Sequence, residues 1–182
     1  MCIRDRLYLI TDPYLCSKVG VEKTVEESVK GGVTMVQIRD KHASTEDRVA
    51  LAGRLKPICA SRGALLVIND DVKAVQISDA DGVHIGQGDM DVALARQTVG
   101  TDKIVGLSIE TESAATQVSI DLVDYVGISP VYATPTKQDH KPPIGLQGLS
   151  KICAASPVSS VAVGGLKLAD CHSVMATGVN GM

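Results

Sequence analysis

Seven short apolar runs recur along this chain: LYLIT (7–11), TMVQIR (34–39), LLVIN (65–69), GVHIG (82–86), IVGLS (104–108), DYVGIS (124–129) and VSSVAV (158–163). They are rich in β-branched residues, and most are bounded by Gly, Asp or Asn, which is the pattern of short strands. The stretches between them have helical periodicity. In VEKTVEESVK, Val21, Val25 and Val29 recur at i, i+4 and i+8, with Glu and Lys on the other face. Ser44 and Asp47 form a candidate capping box for a helix whose inner face is Val49, Ala52, Leu55 and Cys59. Pro57 is expected to kink that helix or end its regular part. Gly100 is a candidate helix-terminating residue and Thr111 a candidate N-cap.

Strands alternating with helices pair in parallel, because each crossover helix returns the chain to the same sheet edge. Seven units in a row, spaced by about 20 to 30 residues, favour a (β/α)8 TIM-type barrel over an open sheet. The expectation is a single barrel domain over 1–182. MCIRDR (1–6) neither alternates nor caps anything and reads as a leader foreign to the fold. LADCHSVMATG (168–178) reads as the seventh helix, and VNGM as the opening of strand eight, with the rest of that strand and its helix absent. A ring so interrupted is expected to self-associate and to turn over poorly.

Composition narrows the function. A net charge of −3 and four aromatics, all tyrosine (Tyr8, Tyr14, Tyr125, Tyr132), give no electrostatic or stacking basis for nucleic acid. No apolar run is long enough to span a bilayer, and Asp5 and Arg6 stand where a signal peptide needs apolar residues, so a cytoplasmic location is expected. The five cysteines are scattered without a C-x-x-C pair, which argues against a disulfide framework or a zinc site. His84 reads as a hydrogen-bonded strand residue.

Barrel chemistry gathers at the C-terminal ends of the strands. Those ends here read QIRDK, NDD, GQGD, GLS, SPVYATPTK and GG. Period-two alternation puts Gln37, Arg39 and Lys41 on one side, and an Arg with a Lys in the pore calls for an anion such as phosphate. Asp70 and Asp89 are candidate Mg²⁺ ligands, since two carboxylates completed by phosphate and water oxygens suit that ion. Asp71 is expected to cap the next helix instead. Gly164-Gly165 offers bare N–H groups for a phosphate. Lys137, in the polar stretch YATPTKQDHK (132–141), supplies a third cation. No Ser-His pair, poised Cys or good general acid or base accompanies them. Such an inventory suits departure of diphosphate from carbon, with metal and cations taking up the charge.

LYLITD, QIRDK, INDD, ADGVHIGQGD, GLS, GISPVYATPTK and AVGG, in this order and at these intervals, resemble the thiamine phosphate synthase family over roughly residues 7 to 181. The resemblance implies condensation of 4-amino-2-methyl-5-(diphosphomethyl)pyrimidine with a thiazole phosphate, releasing diphosphate. It implies that Gln37 and Ser108 face the pyrimidine substrate and that Arg39, Lys41, Asn69 and Lys137 hold the diphosphate, the three cations being catalytic. By the same resemblance Asp70 and Asp89 bind Mg²⁺, while Thr134, Thr136 and Gly165 hold the thiazole phosphate. Partners are then two small molecules, with homo-oligomerisation possible. Two rivals are a thiazole tautomerase on the same barrel and a non-catalytic phosphate-binding fragment. Tautomerase-like relatives use a histidine near the end of strand five, and GLSIETES has none.

Overall fold

The computed structural model describes residues 7–134, 136 and 142–182. Seven strands alternate with seven helices: β1 Tyr8–Ile10, α1 Val21–Lys30, β2 Met35–Ile38, α2 Thr45–Ala60, β3 Leu65–Asn69, α3 Val72–Ser78, β4 Gly82–Ile85 and α4 Val92–Val99. They continue through β5 Ile104–Ile109, α5 Glu112–Thr116, β6 Tyr125–Ile128, α6 Gly145–Ala155, β7 Ser159–Ala162 and α7 Cys171–Met175, the last entered through a 3-10 turn at Leu168–Asp170. Every neighbouring pair of strands is parallel and the spatial order is the sequence order. This is a TIM-type barrel with seven strands.

Residues 180–182 lie where an eighth strand runs in such a ring. Gly181 bridges Val161 in parallel, the Ala162 N–H donates to the Gly181 carbonyl at 2.9 Å, and the Tyr8 N–H donates to the Met182 carbonyl at 2.9 Å. At these positions the edges of β1 and β7 are paired.

Local signals act as the residue chemistry dictates. Ser44 and Asp47 form a reciprocal capping box at α2, Thr111 caps α5 and Gly100 ends α4 with φ 83°. Pro57 does not end α2, which runs three residues further. It sits in the last turn, and the fully packed Leu55 and Cys59 on either side hold that turn against the sheet.

Two apolar layers follow from the strand period of two. Outward-facing residues such as Val36, Ile38, Leu66, Ile68, Val83 and Ile85 pack under the helices. Inward-facing Met35, Val67, Ile104, Tyr125 and Val161 fill the lower barrel. Above them the same inward rows turn polar, at Gln37, Asn69, His84 and Ser108. These form the floor of the site.

Candidate active site

A cavity of about 270 Å³ opens at the C-terminal ends of the strands. Its lining includes Gln37, Arg39, Lys41, Asn69, Asp70, Asp89, Ser108, Thr134, Thr136 and Gly165, so every site residue expected from the sequence is there except Lys137. Lys137 lies outside the described residues.

The anion side is built by β2 and its continuation. Alternation carries Gln37, Arg39 and Lys41 to the same face, and the Arg39 N–H donates to the Thr11 hydroxyl at 3.1 Å. Asp40, on the opposite face, is occupied locally, its Oδ1 accepting from the His42 and Ala43 N–H groups at 2.9 and 3.2 Å. It therefore leaves the guanidinium of Arg39 to the cavity, where no described carboxylate forms an ion pair with it.

Neighbouring carboxylates after β3 have opposite environments. Asp71 turns outward, accepts from the Ala74 N–H at 2.8 Å and the Thr45 hydroxyl at 2.8 Å, and pairs with Arg48 at 2.9 Å. Burial raises its pKa, but these donors outweigh burial and hold it below the usual carboxylate range. Asp71 is thus the cap that the sequence indicated. Asp70 adopts a left-handed backbone, φ 62°, which Asp tolerates better than most residues. Its N–H donates to the His84 carbonyl at 2.8 Å, and its side chain enters the cavity beside Asn69, whose amide donates to it at 2.5 Å.

There Asp70 meets Asp89. Burial, and then the hydrogen bond and like charge of Asp89, push the Asp70 carboxyl up to about 6, against a partial counter-pull from Lys41. Asp89 is fixed from behind, accepting from the Gly86 N–H at 2.8 Å; a Cβ at residue 86 would stand 2.6 Å from its oxygen. Two carboxylates held together at such a cost fit a divalent cation. Among the described residues no third His, Cys, Asp or Glu joins them. Further ligands would be oxygens of substrate or water, the arrangement Mg²⁺ favours.

The far wall is made where the loop after β6 crosses the end of β7. The Val131 and Tyr132 N–H groups donate to the Val163 and Gly164 carbonyls at 2.9 and 3.0 Å. Gly165 has φ 68°, and a Cβ there would stand 2.6 Å from the Ala133 carbonyl. Its glycine is required both by conformation and by space. Thr134 and Thr136 line the cavity beside it, the Thr136 N–H donating to the Thr134 hydroxyl at 3.3 Å.

Sequence reasoning missed Tyr8 and Tyr125 and the network by which they link the floor residues. Gln37 Nε2 donates to the Tyr8 hydroxyl at 2.6 Å, Tyr8 and Tyr125 hydroxyls are 2.8 Å apart, and Tyr125 is 2.9 Å from His84 Nδ1. His84 Nε2 then meets the Ser108 hydroxyl at 2.9 Å, a Ser-His contact that corrects the expectation of none. With both ring nitrogens so engaged, His84 is the hydrogen-bonded strand residue that its sequence context suggested. The available signal was tyrosine on two apolar strands in a chain without phenylalanine, since a buried phenol needs a partner.

Comparison with known proteins identifies the family. The family model described as thiamine monophosphate synthase matches residues 7–182. The chain belongs to the thiamine monophosphate synthase family. It is accordingly an enzyme. The thiamine-phosphate synthase of Psychrobacter sp. (strain PRwf-1) is 48% identical over 179 residues, covering 97% of this chain and 84% of that protein. That of Clostridium novyi (strain NT) is 40% identical over 182 residues, covering 100% and 89%. The solved thiamine phosphate pyrophosphorylase from Pyrococcus furiosus superposes with a TM-score of 0.86 at 31% identity, over 97% of this chain and 83% of that one. A deoxyribose-phosphate aldolase structure from Coccidioides immitis, 14% identical with a TM-score of 0.72, shares the barrel alone. No helix among the described residues is long and apolar enough to cross a membrane.

Proposed function

We propose that this enzyme joins 4-amino-2-methyl-5-(diphosphomethyl)pyrimidine to a thiazole phosphate, with Mg²⁺-assisted loss of diphosphate, giving thiamine phosphate. Beyond family membership, one observation carries the reading: two mutually repelling carboxylates, Asp70 and Asp89, share a cavity with Arg39 and Lys41. Such a site can bind a polyanion and a cation together, and neither well alone. Bound there, Mg²⁺ would offset the charge gathering on the departing diphosphate. Arg39 and Lys41 hold its oxygens from the β2 side, with Lys137 as a third cation, and Asn69 donates from the end of β3. Gln37 and Ser108 seat the pyrimidine on the floor. Thr134, Thr136 and Gly165 hold the thiazole phosphate opposite, near enough for the thiazole nitrogen to attack the carbon that diphosphate leaves. His84 is engaged through both ring nitrogens, which agrees with a reaction driven by leaving-group stabilisation. The test is turnover with both substrates, with and without Mg²⁺, reading thiamine phosphate and diphosphate. Thiazole isomerisation alone, or binding without turnover, would overturn it.

Asp70 makes the metal step pH-dependent. Its pKa in the folded protein, about 6, lies above the ordinary 3.8. Its proton therefore stabilises the fold most fully below the ordinary value, and that stabilisation is lost as pH rises through about 6. Mg²⁺ competes with the same proton. Thermal denaturation is expected to show a larger Mg²⁺-induced rise in Tm near pH 7.5 than near pH 5. Equal rises at both would place the ion elsewhere.

Thr136→Val keeps the side-chain volume while removing a hydroxyl from the wall. Loss of one hydrogen bond to a charged phosphate costs about 1.5–3 kcal/mol, roughly ten- to a hundredfold in affinity. The preference for thiazole phosphate over the free thiazole alcohol, measured as a ratio of kcat/KM, should fall by that factor. An unchanged ratio would put the phosphate on other groups.

A further inference from the structure

The five-residue chain under the cavity joins five strands across the barrel, and its hydrogen bonds fix a direction along it. Gln37 Nε2 donates to Tyr8, so the Tyr8 proton goes on to Tyr125, the Tyr125 proton to His84 Nδ1, and the His84 Nε2 proton to Ser108. In this direction every link has one donor and one acceptor. If His84 instead donated from Nδ1, Tyr125 would donate to Tyr8, and the Tyr8 proton would have no acceptor among the described residues. Loss of hydration raises both phenols well above their usual value, so both keep their protons. Turning the Gln37 amide over would reverse all the donors together. The two ends thus always face the cavity with opposite polarity.

The barrel is shaped to hold these groups in line. A Cβ at residue 106 would stand 2.2 Å from the Tyr125 ring, and one at residue 127 would stand 3.1 Å from His84 Cε1. Glycine at both inward positions seats the two rings. Tyr8 meets Tyr125 edge-on at 5.9 Å, and the His84 and Tyr125 centroids are 5.4 Å apart.

We propose that Tyr8, Tyr125 and His84 are positioning residues that tie the polarity of Ser108 to that of Gln37, so that the Gln37 amide orientation seen here, Nε2 toward Tyr8, sets an acceptor at Gln37 and a donor at Ser108 and selects an aminopyrimidine over its oxo counterpart. An aminopyrimidine offers an exocyclic N–H donor beside a ring-nitrogen acceptor, matching this pattern. The oxo form offers a carbonyl acceptor beside a ring N–H donor, the reverse. The inference rests on the pyrimidine diphosphate reading above and adds the element that discriminates.

The experiment compares the 4-amino pyrimidine diphosphate with its 4-oxo analogue in the full chain and in Tyr125→Phe. That substitution keeps the ring between Tyr8 and Gly106 and cuts the relay at one atom. The parent chain should prefer the amino compound by about a hundredfold or more in KM. Tyr125→Phe should lower that preference at least about tenfold while kcat for the amino compound changes less. In the ¹⁵N-labelled parent chain, NMR should show His84 as the neutral tautomer protonated at Nε2. Protonation at Nδ1, or an undiminished preference in Tyr125→Phe, overturns the relay while the proposed reaction stands. Failure of the parent chain to bind or turn over the amino compound overturns that reaction, and the relay's ligand with it.

Discussion

Asp89→Ala should lower kcat/KM by about a thousandfold and abolish its dependence on Mg²⁺. The side chain occupies one edge of the cavity, held by the Gly86 N–H at 2.8 Å and set against Asp70. With no third His, Cys, Asp or Glu grouped with this pair among the described residues, removing one leaves a cation a single protein anchor. Metal stabilisation of a departing phosphate group supplies several kcal/mol, and about 4 kcal/mol corresponds to roughly three decades in rate. A second consequence separates this from general damage. With Asp89 gone, the hydrogen bond and like charge that help raise the Asp70 pKa are gone too, so that pKa should fall. Carboxylate NMR titration of the variant checks the shift, and steady-state assays across Mg²⁺ concentration check the rate. A variant that still responds to Mg²⁺ like its parent would remove Asp89 from the metal site.

Gly82→Ala should be the most destabilising single-methyl change in the barrel wall. Gly82 opens β4, and a Cβ there would stand 2.2 Å from the Ile104 carbonyl oxygen and 2.6 Å from Ile104 Cβ. The obstructing atoms include backbone in the paired strand, where Gly82 sits opposite Ile104 in register. A side chain can change rotamer, whereas this carbonyl can move only if β5 moves. Overpacking costs typically 1–3 kcal/mol, and the backbone obstacle puts this site at about 3 kcal/mol or more. For a chain of this size that is a fall of about 6–12 °C in Tm. Because β4 carries His84 and leads to Gly86, affinity for the pyrimidine diphosphate should decline along with stability. Differential scanning calorimetry and titration calorimetry measure the two effects. Gly53→Ala is the control, since a Cβ there meets nothing within 4 Å and the position is helical. A Tm for Gly82→Ala within a degree or two of the parent would show that β4 and β5 can separate without cost.

The contrast between Asp70 and Asp71 shows how far one-dimensional reading reaches. Asp71 precedes a helix, and its capping contact with Ala74 spans three residues. Local sequence determines such a contact. The environment of Asp70 depends on Asp89, nineteen positions away at the end of the next strand. Even so, the sequence did point to both, because barrel sites gather at strand ends whatever the loops contain. Arg39, Lys41 and Gly165 were legible for the same reason, whereas Asn69, Ser108, Thr134 and Thr136 were singled out by the family resemblance of the strand-end motifs.

By itself the sequence determined the parallel ring, its strand positions, most helix caps and the polar rim of the cavity, because period-two and 3.6-residue patterns and capping chemistry act within a few residues. Only the tertiary structure decided the floor. Tyr8 and Tyr125 are 117 residues apart, and His84 and Tyr125 are 41 apart. Those pairings arise because ring closure brings β1, β4 and β6 across from one another. Gly106 and Gly127 look like any glycines in a strand until the rings above them are seen. Which phenol meets which imidazole is set by the diameter of the closed barrel, a property of all the strands together and of no segment alone.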